Sequence, residues 1–193
     1  MTVIVLAVAA LCFRLLGVLL GLARFATWRV SAAHGLAVML VMTASAHFVP
    51  SDVTFMPNRA DMVAMVPPFV PFPAFVVYLT GVLELAGAVG LVLPATRRAA
   101  GICLALLFVL MLPANVYAAL AGVTLAGEAA TPLWRRLPEQ VLYIGVALWA
   151  AGLGAPGAST SVARSRIRGD HPAAPMPAKN GLADSGEPEG STH

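Results

Sequence analysis

Apolar residues fall into five long runs, at about 3–23, 30–49, 74–93, 99–121 and 137–153. The short stretches between them hold many of the arginines and prolines. About 20 consecutive apolar residues make a helix long enough to cross the hydrocarbon core of a bilayer. The pattern therefore predicts an all-α bundle of five transmembrane helices over 1–153. Pro73 marks the start of the third helix, because a proline in the first turn lacks only an N–H that has no partner there. Pro67, Pro68 and Pro71 keep the approach to it extended. Pro50 ends the second run, Pro138 stands near the first turn of the fifth, and Pro113 interrupts the fourth, where a kink is expected. Gly17 and Gly21 would give the first helix a G-x-x-x-G face for close helix contact. The 50–72 segment is too hydrophobic for a solvated linker and is read as a loop at the interface or folded into the bundle mouth. Beyond 153 the apolar pattern stops and Gly, Ala, Ser, Pro and charge take over, so 154–193 reads as a disordered tail.

Composition agrees with a membrane protein: 59% of the 193 residues are hydrophobic and 11% are charged, against about 25% charged in a soluble domain. The first run has no basic segment before it and is interrupted by Arg14, so it is expected to be a retained helix rather than a cleaved signal. Cys12 and Cys103 lie in apolar runs with no C-x-x-C, and are expected to be buried, inert thiols. The basic balance does not point to nucleic acid. Arg24, Arg29, Arg97, Arg98, Arg164, Arg166, Arg168 and Lys179 fall on one side of the alternating topology, and Arg59, Arg135 and Arg136 on the other. The first side is expected to be cytoplasmic, with the N-terminus outside and the tail inside.

Four helices each bring a polar group into the outer half of such a bundle: His47, Glu84, Asn115 and Gln140. Glu84 is the most demanding, at roughly 16 Å from the outer end of its helix. A charge at that depth costs about 2.5–3.5 kcal/mol on insertion scales. Read singly, Asn115 and Gln140 are interhelical glue, and His47 is a hydrogen-bonded interface histidine. Arg14, eleven residues into the first helix, reaches the depth of Glu84 on the same arithmetic. It is a possible intramembrane partner, or it snorkels toward an interface.

The ordered motifs SAHF, MVPPFVPFP, GVLELAG, LPATRRAAG, LPANVYAAL and RLPEQVL, over about 35–151, resemble the DoxX family of small integral membrane proteins. The resemblance implies a four-helix core, here with an additional N-terminal helix and a long tail. It places His47, Pro68, Glu84, Gly87, Pro113, Asn115 and Gln140 at the family's typical motif positions. The family takes its name from a subunit of an archaeal thiosulfate:quinone oxidoreductase, and other members are associated with membrane redox complexes and thiol stress. Fold analogy does not carry a reaction with it.

No nucleophile–base pair, metal cluster or phosphate loop stands out in the sequence. The leading expectation is thus a non-catalytic membrane component or scaffold linked to oxidoreductase or redox-stress complexes, with no cofactor required. One alternative is a quinone- or lipid-binding oxidoreductase subunit using an outer pocket around Glu84 and His47. Another is a small-molecule transporter. Expected partners are the bilayer, a soluble or membrane oxidoreductase and a second copy of the chain.

Overall fold

The computed structural model describes residues 1–153, and the expected tail at 154–193 lies outside them. The helices are α1 (Thr2–Leu19), α2 (Trp28–Ser45), α3 (Arg59–Ala64), α4 (Pro73–Val92), α5 (Arg97–Leu120) and α6 (Leu133–Ala150). A 3-10 turn, Ala23–Phe25, joins α1 to α2. Between α5 and α6, strands β1 (Thr124–Leu125) and β2 (Glu128–Ala129) pair antiparallel in a small hairpin. Three helices, α1, α4 and α5, are long and apolar enough to cross a membrane. Helices α2 and α6 are equally long but more polar, and neighbours cover several of their polar groups: Ser31 and His34 in α2, Glu139 and Gln140 in α6.

Local chemistry sets the helix ends, and several differ from the limits of the apolar runs. Helix α1 stops at Leu19, and Gly21 takes a positive φ of 64° in the turn that follows. Helix α2 starts early, at Trp28, because the Thr27 hydroxyl caps it by accepting from the Val30 N–H at 3.3 Å. The 50–72 segment is not all loop. Asn58 and Asp61 form a reciprocal capping box that nucleates the six-residue α3. Pro68 sits in a turn closed by Val70 N–H donating to the Pro67 carbonyl at 2.9 Å. Pro73 opens α4 as expected from its chemistry, behind Phe72 in the left-handed region. Pro113 lies inside α5, which continues to Leu120. The arginine-bearing stretch ahead of the fifth apolar run, Trp134 to Arg136, is the first turn of α6, which leaves Pro138 inside the helix. Hydrophobicity marks where a helix is apolar, and a helix can begin a turn before that.

Helices α2, α4, α5 and α6 pack in succession, and α6 returns to α2. Helix α1 lies against α2, with the Thr2 hydroxyl 2.6 Å from the Tyr143 hydroxyl of α6. Leu36, Met39 and Leu40 of α2, Leu91 of α4, Leu104 and Phe108 of α5, and Tyr143 and Ala147 of α6 fill the core. The helices approach closely at glycines. A Cβ on Gly35 would lie 2.8 Å from Ala10 of α1, and one on Gly87 would lie 2.4 Å from the Leu104 side chain. The expected G-x-x-x-G face on α1 is corrected. Gly17 packs against Phe25 of the following turn, while Gly21 is outside the helix with nothing near it. Cys12 and Cys103 are also not buried; both are exposed. The bundle is apolar outside as well as inside, so an apolar run does not imply an interior position.

Candidate functional site

One end of the bundle carries α3 and the β-hairpin, tied together by Asp61. Its Oδ2 accepts from the Ala126 N–H at 2.9 Å and from the Asn58 N–H at 3.2 Å. Arg59 donates to the Tyr78 hydroxyl and lies 5.6 Å from that ring's centroid, which fastens the same cap to α4. Below this cap the structure brings His47 and Glu84 together. His47 follows α2 in a tight turn, and Glu84 lies in the middle of α4; each is at most 6% exposed. His47 Nε2 and Glu84 Oε1 are 4.0 Å apart. Gly81 makes the approach possible, because a Cβ there would lie 2.7 Å from the His47 Cβ.

Hydrogen bonds define the histidine's tautomer. His47 Nδ1 is 2.7 Å from the Val77 carbonyl oxygen, which can only accept, so Nδ1 carries a proton. Nε2 therefore faces Glu84 either as a lone pair or as a second N–H. The Thr80 hydroxyl lies 3.3 Å from Nδ1 and donates to the carbonyls of Val76 and Val77, each at 3.0 Å. The other carboxylate oxygen of Glu84, Oε2, accepts from the Thr43 hydroxyl of α2 at 3.2 Å. The Glu84 carboxyl, one imidazole and one hydroxyl thus bridge α2 and α4. Such a pair can hold or pass a proton between Nε2 and Oε1, provided that a water or a small shift closes the 4.0 Å gap.

Asn115 and Gln140 meet other partners. Asn115 Oδ1 accepts from Arg136 Nη2 at 2.7 Å and from Nε at 3.1 Å, joining α5 to α6. Glu139 pairs with Arg135 at 3.1 Å and reaches Arg136 at 4.0 Å. Gln140 Nε2 donates to the Phe108 carbonyl at 2.6 Å. That carbonyl neighbours the one at Val109, which Pro113 leaves without its helical donor.

Arg14 takes no part in it. Its guanidinium lies 5.7 Å from the Trp28 ring centroid, at the opposite end of α2 from His47. The depth argument failed because α1 does not run level with α4: Ala10 packs against Gly35 and Thr2 reaches Tyr143. Sequence reasoning also missed Thr43, for which a lone threonine in an apolar helix gave no signal. Arg136 was missed because it precedes the fifth apolar run, although the Arg135–Glu139 spacing of four residues is a helical signature. His34 was missed too. It is buried between the rings of Phe13 and Phe25, its Nδ1 is 2.8 Å from the Val30 carbonyl, and its Nε2 has no partner. Among the described residues no group of three His, Cys, Asp or Glu side chains converges as metal ligands would.

These features define the class: a helical bundle with helices apolar enough to cross a membrane and a polar cluster buried between them. The chain belongs to the family described as a domain of unknown function, DUF8561, whose model matches residues 36–151. The match takes in α4, α5, α6 and most of α2, and leaves out α1. No curated protein and no solved structure matches the chain.

Proposed function

We propose that this protein is a non-catalytic component of the cell membrane, DoxX-like in its four-helix core of α2, α4, α5 and α6. In this reading it spans the membrane several times and holds an oxidoreductase or redox-stress complex at the bilayer. The observation that carries the reading is how the buried polar groups are engaged. Asn115 binds Arg136, Gln140 binds a carbonyl of α5, and Glu84 and His47 bind Thr43 and the Val77 carbonyl. Each contact ties a helix or its flanking turn to a neighbouring helix, so the cluster's hydrogen bonds hold the bundle together. The charge distribution supports an orientation with the N-terminus outside and the residues after 153 in the cytoplasm. Arg14, Arg24, Arg29, Arg97 and Arg98 sit at the end away from the hairpin, and no Asp or Glu among the described residues does.

One observation favours a second reading, a quinone-linked oxidoreductase subunit. The 4.0 Å gap between His47 Nε2 and Glu84 Oε1 is the spacing at which a ligand hydroxyl or carbonyl could enter a proton-passing pair. Purification from native membranes in a gentle detergent, followed by mass spectrometry, separates the two. Co-purification of an oxidoreductase at constant ratio is the result expected of a scaffold. Absence of any redox protein, together with a stoichiometric quinone that is lost in Glu84→Gln, overturns it.

A further inference from the structure

An apolar groove opens on the side of the bundle between α1, α2 and α4, at the end away from the hairpin. Its volume is about 390 Å³, within the roughly 300–1,000 Å³ of small-molecule sites. Phe13, His34, Val38, Val41, Val89 and Val92 are among the residues that line it, and the His34 ring forms part of one wall. The groove lies in the apolar flank of the protein, so it faces lipid tails in the membrane reading proposed above.

Cations stand beside the groove at Val92. Arg24 Nη2 and Arg97 Nη2 both donate to the Val92 carbonyl at 3.2 Å, and Arg97 Nε donates to the Leu91 carbonyl at 2.7 Å. Two guanidiniums therefore meet on the backbone of a residue that lines the groove. Arg29 is the further positive charge that bears on Arg97. Among the described residues none of the three has a carboxylate partner within salt-bridge distance. Like charges held this close repel, and a phosphate between them relieves that repulsion and accepts their free N–H groups in charge-assisted hydrogen bonds. An apolar channel with cations beside it fits an amphiphile with an anionic head and a hydrocarbon tail. A neutral or zwitterionic lipid does not meet the unbalanced charge, and a soluble phosphate leaves the channel empty.

We propose that this groove seats one acyl chain of an anionic glycerophospholipid, with its phosphate held by Arg24 and Arg97 and supported by Arg29. The site lies at the other end of α2 from the His47–Glu84 cluster and does not depend on it. It does rest on the chain being membrane-embedded.

The test uses the full chain, with native mass spectrometry from detergent doped with phosphatidylglycerol or with phosphatidylcholine of the same acyl chains. One phosphatidylglycerol per chain is expected to survive collisional activation that strips phosphatidylcholine. Each guanidinium near an anionic lipid surface contributes roughly a fivefold factor in affinity. The double variant Arg24→Gln with Arg97→Gln should thus retain that lipid about 25-fold less. Those two arginines also bind carbonyls at the end of α4, so the variant can also destabilise that end. Val89→Trp is the second probe: Val89 is exposed on the groove wall, and the indole fills the channel while leaving every arginine in place. It should abolish retention without changing the elution of the purified protein. Equal retention of phosphatidylcholine, full retention in Val89→Trp, or displacement of the lipid by glycerol 3-phosphate each overturns the proposal. Resistance to carbonate extraction is measured in parallel. A carbonate-resistant protein that fails to retain phosphatidylglycerol refutes the lipid site alone, whereas a carbonate-soluble protein refutes the membrane reading itself.

Discussion

Replacing Gly101 with alanine tests the packing of α5 on α6, and Gly145→Ala is its internal control. A Cβ built on Gly101 meets the Ala147 carbonyl oxygen at 2.4 Å, the Ala151 Cβ at 2.9 Å and the Ala151 nitrogen at 3.2 Å. Ordinary contact begins near 3.4 Å, so the carbonyl is about 1 Å too close. Two of the three obstructing atoms are backbone, and no rotamer change moves them. The helices must separate or the chain must bend locally. A gap of 0.5–1 Å already forfeits about a quarter to a half of a contact's dispersion energy. The affected seam includes Leu104, Phe108, Tyr143, Ala147 and Ala150. Overpacking of this kind costs about 1–3 kcal/mol. Alanine's better helix propensity returns no more than about 1 kcal/mol. At Gly145 a Cβ meets nothing within 4 Å, so only the propensity gain remains. Thermal unfolding of the detergent-solubilised protein, followed by tryptophan fluorescence, provides the readout. A chain of this size shifts its midpoint by about 2–4 °C per kcal/mol. Gly145→Ala should leave the midpoint unchanged or raise it, and Gly101→Ala should melt several degrees below Gly145→Ala, since the two share the propensity gain and differ by the overpacking cost. Equal midpoints for the two variants would refute the α5–α6 register described above.

Other variants probe the polar cluster and its surroundings. Glu84→Gln should stay membrane-inserted and elute as a single species, because the glutamine carbonyl still accepts from Thr43; degradation or aggregation would show that His47 needs the charge. Asn115→Leu should cost about 1.5–3 kcal/mol, the range for a hydrogen bond to a charged group. Most of that cost should vanish when Arg136→Met is added, and additive losses in the double-mutant cycle would mean that the two residues are not coupled. Asp61→Ala should loosen the cap formed by α3 and the hairpin without unfolding the bundle, seen as faster hydrogen exchange at Ala126 with unchanged exchange in α5. Truncation after Leu153 should leave membrane insertion intact in a protease-protection assay, and loss of insertion would contradict the sequence reading of 154–193.

The helical class was legible in the sequence because a run of about 20 apolar residues is long enough for a helix that could cross a bilayer, where a backbone must satisfy its hydrogen bonds locally. Long apolar runs punctuated by proline and arginine are the direct signature of that demand. The start of α4 at Pro73 was legible for an equally local reason. Glu84 and His47 could be singled out one at a time, since a buried carboxylate and an imidazole are costly wherever they fall. Their partners could not, because Thr43 and Val77 become their neighbours only when helices distant in sequence pack together. Arg14 shows the limit most clearly. Counting residues put it level with Glu84, but depth along one helix says nothing about where its neighbour begins, and the contact of Ala10 with Gly35 moves Arg14 to the far end. The two exposed cysteines teach the same lesson, since an apolar run does not distinguish the outward face of a helix from the face toward its neighbours. Local sequence thus determined which segments are helical and which groups are expensive to bury. Which helix meets which, and at what height, was decided by close packing at Gly35, Gly81, Gly87 and Gly101, where only the absence of a side chain lets the neighbour approach.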